Sequence, residues 1–157
     1  MDKIPSFQVN HLTLLPGVYV SRKDQVGTQT LTTFDVRMTA PNREPVMSTG
    51  VCHTLEHLIA TFLRNDPDWA SRDIYWGPMG CRTGFYLILT GDLAPMDIQD
   101  LLVRAYEFAA SFEGEIPGAY PRDCGNYSDM DLPGARAIAS RYLETLRTLN
   151  DLTTVYP

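Results

Sequence analysis

The order of apolar and polar positions along the chain predicts a protein with both strands and helices. Residues 28–38 alternate loosely between apolar and polar, and residues 82–90 form a more apolar run, so both are predicted to be strands. Apolar residues recur at spacings of three and four in residues 48–64, in a segment that begins at Pro95 and in one that follows Pro133, which is typical of helices. Because these strands and helices do not alternate strictly, the sequence favours an α+β fold over a doubly wound sheet.

Two segments without periodicity are predicted to be loops. Residues 65–79 and 114–131 both contain glycine and proline, which interrupt regular structure. A loop as long as the second one is uncommon in a small domain, and such loops are often functional.

Length and composition narrow the class of protein. The chain has 157 residues, so residues 1–157 are expected to form one domain. Its formal charge of −6, from 19 acidic and 13 basic residues, argues against binding nucleic acid through a broad basic surface. We expect no membrane-bound form, because no apolar run is long enough to span a bilayer and the N-terminus lacks a signal-peptide pattern. Three cysteines make a poor disulfide framework, which favours a reducing, cytoplasmic location.

A pair of histidines is the strongest chemical signal in the sequence. His53 and His57 lie four residues apart in the predicted helix, so their side chains project from one face and can bind one metal ion. Glu56, next to the second histidine, is then placed for proton transfer. The H-x-x-E-H order also occurs in a class of zinc metallopeptidases.

The third protein ligand is left open by spacing alone. Metallopeptidases of this class would supply a downstream glutamate, and Glu107, Glu113 and Glu115 are available. The thiolate of Cys124 is the other option, since it lies in the long loop beside Gly125.

A second cysteine is a candidate for proton transfer. Cys81 lies between glycines, which indicates a close backbone approach, and Arg82 beside it could lower the pKa of the thiol. The alternative is that Cys81 is only a small residue in a tight turn. Cys52 points about 100° away from His53 on the helix and is expected to pack in the interior.

Arg64 lies on the same helical face as His53, about 16 Å further along the axis. It could hold the far end of a bound small molecule. The alternative is a solvated side chain near the end of the helix.

These features together resemble the S-ribosylhomocysteine lyase (LuxS) family over nearly the whole chain. The residues that carry the resemblance are Ser6 with Phe7 and His11, Phe-Asp-Val-Arg at 34–37 followed by Pro-Asn at 41–42, His-Thr-Leu-Glu-His at 53–57, Pro-Met-Gly-Cys-Arg-Thr-Gly at 78–84 and Cys-Gly-Asn-Tyr at 124–127. Each piece alone is weak or moderate, but all of them occur in the family order.

The resemblance assigns a role to each candidate residue. It implies that one divalent metal per subunit is held by His53, His57 and Cys124; the ion is Fe²⁺, which Zn²⁺ or Co²⁺ can replace. It implies that Glu56 and Cys81 carry protons. It places Ser6, His11 and Arg37 at the ribose end of the substrate and Arg64 at its amino-acid end.

The resemblance also implies a reaction and an assembly. The substrate is S-ribosylhomocysteine, and the products are homocysteine and 4,5-dihydroxy-2,3-pentanedione, the autoinducer-2 precursor in quorum sensing. The carbonyl migrates twice along the ribose before β-elimination. The family forms homodimers with active sites at the subunit interface. In each site, Ser6 and His11 are donated across that interface. Its fold is an antiparallel sheet packed against helices, similar to H-x-x-E-H metallopeptidases.

The sequence departs from the family pattern near the expected substrate site. Asn10 and Tyr75 stand where many members have aspartate, and at Tyr75 that acidic residue often contacts the substrate amine. Asp73 lies nearby. Two other functions stay open at this point: an H-x-x-E-H zinc metallopeptidase and a metal-binding module without enzymatic activity.

Overall fold

The sheet of the protein consists of four antiparallel strands. The computed structural model describes Asp2 and residues 4–157. Its strands are β1 (Gly17–Val26), β2 (Gln29–Arg37), β3 (Asp73–Pro78) and β4 (Gly84–Thr90), in the spatial order β1-β2-β4-β3. The two central strands, β2 and β4, confirm the two strands that the apolar pattern predicts.

The two edge strands escaped prediction for a physical reason. In β1 only the first half is buried, and the rest is polar and exposed, so its alternation is weak. β3 lies within residues 65–79, which we expected to be a loop, and that prediction was wrong. Its Gly77 and Pro78 resemble turn residues, but proline is tolerated in an edge strand, which has one side without partners.

The helices confirm the three predicted segments. They are α1 (Thr49–Asn65), α2 (Gln99–Ser111), α3 (Leu132–Arg147) and a short α4 (Asp151–Thr154), which was not predicted. The segment that begins at Pro95 starts as a 3₁₀ helix before α2. Ser48 caps α1 by accepting a hydrogen bond from the Val51 N–H at 3.2 Å. Pro95 lies in the first turn of that 3₁₀ helix and Pro133 in the first turn of α3, positions where proline favours a helix start.

The core lies between one face of the sheet and α1, α2 and α3. Phe34 and Val36 of β2 and Phe85 and Leu87 of β4 are fully buried against the helices, together with the α1 residues Leu55, Leu58, Ile59 and Leu63. Burying each such side chain contributes roughly 1.5–3 kcal/mol. The structure is therefore a single α+β domain, as expected. None of the helices in the described residues is long and apolar enough to cross a membrane.

One glycine near Cys81 allows two strands to approach each other closely. A Cβ atom at Gly84 would collide with the carbonyl oxygen of Val36 and lie 3.0 Å from the Cα of Arg37. The close backbone approach expected around Cys81 is thus an approach of β4 to β2. It brings the residues that precede β4 next to Arg37.

Replacing Gly84 with alanine is therefore expected to lower the free energy of unfolding by about 1–3 kcal/mol. Gly80→Ala is the matched control, because a Cβ atom there has no neighbour within 4 Å. Chemical denaturation of both variants measures the difference. Equal losses in the two would contradict the steric explanation.

Candidate functional site

His53, His57 and Cys124 form one cluster. The two histidines project from α1, and the cysteine comes from residues 112–131, which connect α2 to α3. One ligand-type atom from each residue lies within 4.8 Å of the others. The Cys124 Sγ atom lies 3.4 Å from His53 Nε2. The face shared by the two histidines was predicted from their spacing, and the thiol that meets them was one of the options left open.

Backbone carbonyls orient both imidazole rings. His53 Nδ1 lies 3.0 Å from the Asp129 carbonyl oxygen, and His57 Nδ1 lies 2.6 Å from the Pro117 carbonyl oxygen. A carbonyl oxygen only accepts hydrogen bonds, so each Nδ1 carries the proton. In the neutral form of each ring, Nε2 then presents a lone pair, which is what metal binding requires.

The long loop is shaped around these histidines. Gly118 has φ = +70°, a left-handed conformation that favours glycine. A Cβ atom there would also lie only 3.3 Å from His57 Nδ1, so a larger residue would crowd the imidazole. At the other end of the loop, the Asp131 N–H donates to Thr54 Oγ1 at 2.8 Å. Thr54 is fully buried and lies inside the histidine motif. It therefore ties the loop to the helix that carries both imidazoles.

The donor set fits a divalent metal ion. Two neutral imidazoles and one thiolate are ligands that suit Zn²⁺ or Fe²⁺, and three protein ligands leave a position for water or substrate. The three glutamates considered as alternatives lie apart from the cluster: Glu107 pairs with Arg147 at 2.7 Å, Glu115 accepts a hydrogen bond from Tyr120, and Glu113 is exposed. The geometry thus favours Cys124 as the third ligand.

Glu56 is half-buried on α1 beside His57. Among the described residues it makes no hydrogen bond or ion pair. Its carboxylate is therefore not committed to a structural contact. Cys52, on the same helix, is 4% exposed and packs in the core, which confirms the packing role expected for it.

A second group of predicted site residues lines a cavity of about 370 Å³. Ser6, His11, Arg37 and Cys81 all contribute to its wall. Ser6 lies in a 3₁₀ helix (Pro5–Phe7), and His11 Nδ1 lies 2.9 Å from the Val9 carbonyl oxygen. Ser6 and His11 thus share a wall with Arg37 and Cys81 of their own chain. The three residues of the His–Cys cluster are not among those that line this cavity.

The Cys81 thiol lies in a polar corner of this cavity. Its Sγ atom is 3.1 Å from Thr83 Oγ1 and 3.9 Å from Arg37 Nη1. Burial alone would raise the pKa of the thiol, but hydrogen bonding to Thr83 and the nearby Arg37 guanidinium lower it below the usual value. We expected Arg82 to have this effect, and the structure places Arg37 there instead. Cys81 itself is exposed, so it is not a residue buried in a turn.

Arg37 is held in place by a buried carboxylate. Its guanidinium donates to both oxygens of Asp35, at 3.0 and 2.5 Å, and also to Thr83 Oγ1 at 2.6 Å. Asp35 and Arg37 are only 2% and 3% exposed. The ion pair therefore points the remaining N–H groups of Arg37 towards Cys81 and Thr83.

Arg64 lies apart from both groups and pairs with Asp73 at 3.3 Å. The Arg64 side chain is 63% exposed, whereas that of Asp73 is only 1% exposed. The second carboxylate oxygen of Asp73 is buried and has no hydrogen-bond partner among the described residues. Burial raises the pKa of this carboxyl group, although Arg64 opposes the shift. Tyr75 extends from β3 and is half-exposed.

Sequence reasoning missed the residues that support these two groups. Asp35, Thr83 and Thr54 all lie inside the motifs, but only their positions in space reveal what they contact. Buried polar residues within a motif are the signal that could have found them, since a buried charge or hydroxyl needs a partner.

The fold and the cluster together define a small α+β protein with a His–His–Cys site that could hold a metal ion. The family model described as S-Ribosylhomocysteinase (LuxS) matches residues 4–152. The S-ribosylhomocysteine lyase of Clostridium beijerinckii is 57% identical over 158 residues, covering 100% of this chain and 99% of the relative. The lyase of Clostridium acetobutylicum is also 57% identical with the same coverage, and that of Phocaeicola vulgatus is 53% identical over 100% of this chain and 98% of the relative. The chain belongs to the S-ribosylhomocysteinase (LuxS) family, which confirms the resemblance found in the sequence.

Proposed function

We propose that this protein is an S-ribosylhomocysteine lyase. It cleaves the thioether of S-ribosylhomocysteine to homocysteine and 4,5-dihydroxy-2,3-pentanedione, the precursor of autoinducer-2. The observation that carries the proposal is the identity of 57% over the full chain with relatives that bear this name. The His–His–Cys cluster supports it. None of these findings supports the metallopeptidase alternative.

The metal ligands in this proposal are His53, His57 and Cys124. When bound there, a divalent metal supplies Lewis-acid polarisation of the ribose carbonyl. Fe²⁺ is the proposed ion, with Zn²⁺ or Co²⁺ as substitutes. The support for the ligand set is the proximity of the three donor atoms and the carbonyl partners of both imidazoles.

Glu56 and Cys81 are the proposed proton carriers. Moving the carbonyl from C1 to C2 and then to C3 requires a proton to leave one carbon and return to its neighbour each time. Elimination then removes a proton at C4 and expels the homocysteine thiolate from C5. Two observations support these roles: Glu56 makes no hydrogen bond or ion pair with any residue that the structure describes, and the pKa of the Cys81 thiol is lowered.

The proposed substrate-binding residues fall into two groups, one for each end of the substrate. We propose that Ser6, His11 and Arg37 contact the ribose, which their shared cavity supports. Arg64 is proposed to bind the carboxylate of the amino-acid end, with Asp73 as the acidic partner in place of the residue missing at Tyr75. The support is the Arg64–Asp73 pair and the buried Asp73 carboxylate oxygen, which has no hydrogen-bond partner in the described part of the chain.

Replacing Arg64 with alanine is expected to raise the KM for S-ribosylhomocysteine by about tenfold or more while kcat changes little, since a charge-assisted hydrogen bond contributes roughly 1.5–3 kcal/mol. Arg147→Ala serves as the control, because that arginine pairs with Glu107 on the surface. Steady-state thiol release measures both variants. An unchanged KM in Arg64→Ala would argue against this binding role.

We also propose a homodimer with active sites at the interface, in which residues 1–157 of each chain form one catalytic domain. The sheet face away from the helices supports it, because a second cavity of about 750 Å³ lies open there. Ile4, Val26 and Tyr75 line this cavity and are exposed. Sedimentation velocity tests the dimer.

The free thiols of the three cysteines favour the reducing cytoplasm as the location of the protein.

The function itself is tested by anaerobic purification, metal analysis and two assays on the same sample. Release of free thiol from S-ribosylhomocysteine is expected, and cleavage of a generic peptide substrate is not. Peptide cleavage without thiol release would favour the metallopeptidase. Metal binding with neither activity would favour a non-enzymatic module.

A further inference from the structure

The C-terminal residues of the chain reach the cavity that contains Cys81. α4 packs against the start of β1 so closely that a Cβ atom at Gly17 would collide with the Thr153 carbonyl oxygen. The ring of Tyr156 then stacks on that of Tyr19, with centroids 4.9 Å apart and an interplanar angle of 6°. Tyr156 is one of the residues that line the cavity. It lies outside residues 4–152, which the family model matches.

The hydroxyl of Tyr156 is directed at the buried carboxylate of the site. It donates to Asp35 Oδ2 at 2.9 Å, the same oxygen that receives the 2.5 Å hydrogen bond from Arg37. Asp35 therefore accepts three hydrogen bonds, two from the guanidinium and one from the phenol. Burial and the neighbouring Asp35 charge raise the pKa of Tyr156 well above its ordinary value, so the hydroxyl keeps its proton and stays a donor.

We propose that Tyr156 is a positioning residue of the active site, whose hydroxyl holds the Asp35 carboxylate and so orients the Arg37 guanidinium towards Cys81. The inference rests on the proposed function of Cys81. The link runs from Tyr156 through Asp35 and Arg37 to the thiol, and every contact in it lies within 4 Å. The phenol supports this orientation in two ways. Its hydrogen bond disperses the negative charge of the Asp35 carboxylate, and it limits how the Asp35–Arg37 ion pair can rotate.

Loss of the hydroxyl has a defined electrostatic consequence. Without the phenol, Asp35 keeps more of its negative charge close to Cys81 and draws more of the Arg37 charge to itself. Both changes disfavour the thiolate, so the pKa of the thiol rises. Besides its neighbour Arg82, the groups that face or approach Cys81 are Arg37 and Asp35 of β2, Tyr86 of β4, Cys52 of α1, His11 and Tyr156. All except Tyr156 are the same in the variants below, so a difference between them reports the phenol.

Tyr156→Phe is the variant that tests this role, because it keeps the stacked ring and removes only the hydroxyl. Tyr19→Phe is the matched control. It removes the other hydroxyl of the same stacked pair, which donates to the Leu15 carbonyl oxygen at 2.9 Å. Tyr19 lies opposite Asp35 across β1 and β2, but among the described residues its hydroxyl makes no hydrogen bond to that carboxylate. A purely structural role for the C-terminal segment predicts similar effects of both changes.

The measurement is the rate of alkylation of Cys81 by iodoacetamide as a function of pH, in the full-length metal-loaded protein without substrate. Trypsin places Cys81 alone in the peptide of residues 73–82, apart from the other two cysteines, so mass spectrometry follows it individually. In Tyr156→Phe we expect the profile to shift to higher pH by about half a unit, which lowers the rate about threefold below the pKa of the thiol. Tyr19→Phe is expected to lower the Tm and leave the profile in place.

An unshifted profile in Tyr156→Phe overturns the proposal, and so does an equal shift in Tyr19→Phe. The outcome does not depend on turnover. A protein that releases no thiol from S-ribosylhomocysteine but shows the shift would refute the proposed function and keep the positioning role. A protein that releases thiol but shows no shift in Tyr156→Phe would support the proposed function and refute the positioning role of Tyr156.

Discussion

Replacing Cys124 with serine is expected to remove both the metal and the activity. The thiolate is the only donor among the described residues that closes the cluster with His53 and His57. A serine hydroxyl stays protonated near neutral pH and is a poor ligand for a divalent ion at a site of this type. We expect metal content well below one ion per chain and a fall in kcat/KM of at least about 10³-fold, since the Lewis acid contributes several kcal/mol.

Cys52→Ser is the matched control, because it makes the same atomic change at a thiol one residue before His53. Cys52 is buried in the core and takes no part in the cluster. This variant is expected to lose stability by about 1–3 kcal/mol, the cost of burying a hydroxyl, and to keep its metal. Elemental analysis and thiol release on the same samples measure both outcomes. A Cys124→Ser protein with full metal and activity would show that the proposed site is wrong.

Removing either proton carrier is expected to separate metal binding from turnover. Glu56→Gln keeps the size of the side chain and removes its basicity, and Cys81→Ala removes the thiol. Both variants are expected to bind metal at the level of the unmodified protein and to lose at least about 10²-fold in kcat, the usual scale for a general acid or base. A non-enzymatic metal-binding module predicts no turnover to lose.

Glu113→Gln is the control for the carboxylate, because Glu113 is exposed and lies outside both clusters. It is expected to leave kcat unchanged within about twofold, since most surface substitutions have small effects. If Glu56→Gln were as active as Glu113→Gln, another group would have to carry the protons. If Glu56→Gln lost its metal, the carboxylate would be part of the metal site instead.

The fold was predictable where local sequence and tertiary environment agree. α1 has a cap at Ser48 and a continuous apolar stripe, so its period and its start are both visible in the sequence. β4 is a central strand whose inward positions are apolar throughout, and central β2 has apolar inward residues at Phe34 and Val36 after the buried Thr32. β1 and β3 are edge strands that pair with one neighbour along their length, but only part of each is buried, so neither has a regular apolar pattern. Their side chains therefore carry too little signal.

The candidate site also has a part that local sequence predicts and a part that it does not. His53, His57 and Glu56 belong to one turn of one helix, and their spacing was enough to predict a shared face. Arg64 lies in the last turn of the same helix, but its partner Asp73 lies on β3, in a segment whose pattern predicts a loop. The pairing of a helix end with a strand start depends on packing and could not be derived from spacing.

By itself the sequence determined the fold class, the pair of imidazoles and, through the order of its motifs, the family. These are local properties, because helical period, capping and motif spacing are written in consecutive residues. Spacing left the third ligand open, and the resemblance implied Cys124; the tertiary structure shows that thiol beside the imidazoles, although Cys124 is 71 residues from His53 and its loop has no period. The tertiary structure also decided that Arg37, rather than Arg82, faces Cys81 and that Tyr156 reaches Asp35 over 121 residues. Contacts at such separations follow from how the sheet, helices and loops pack, which local patterns do not encode.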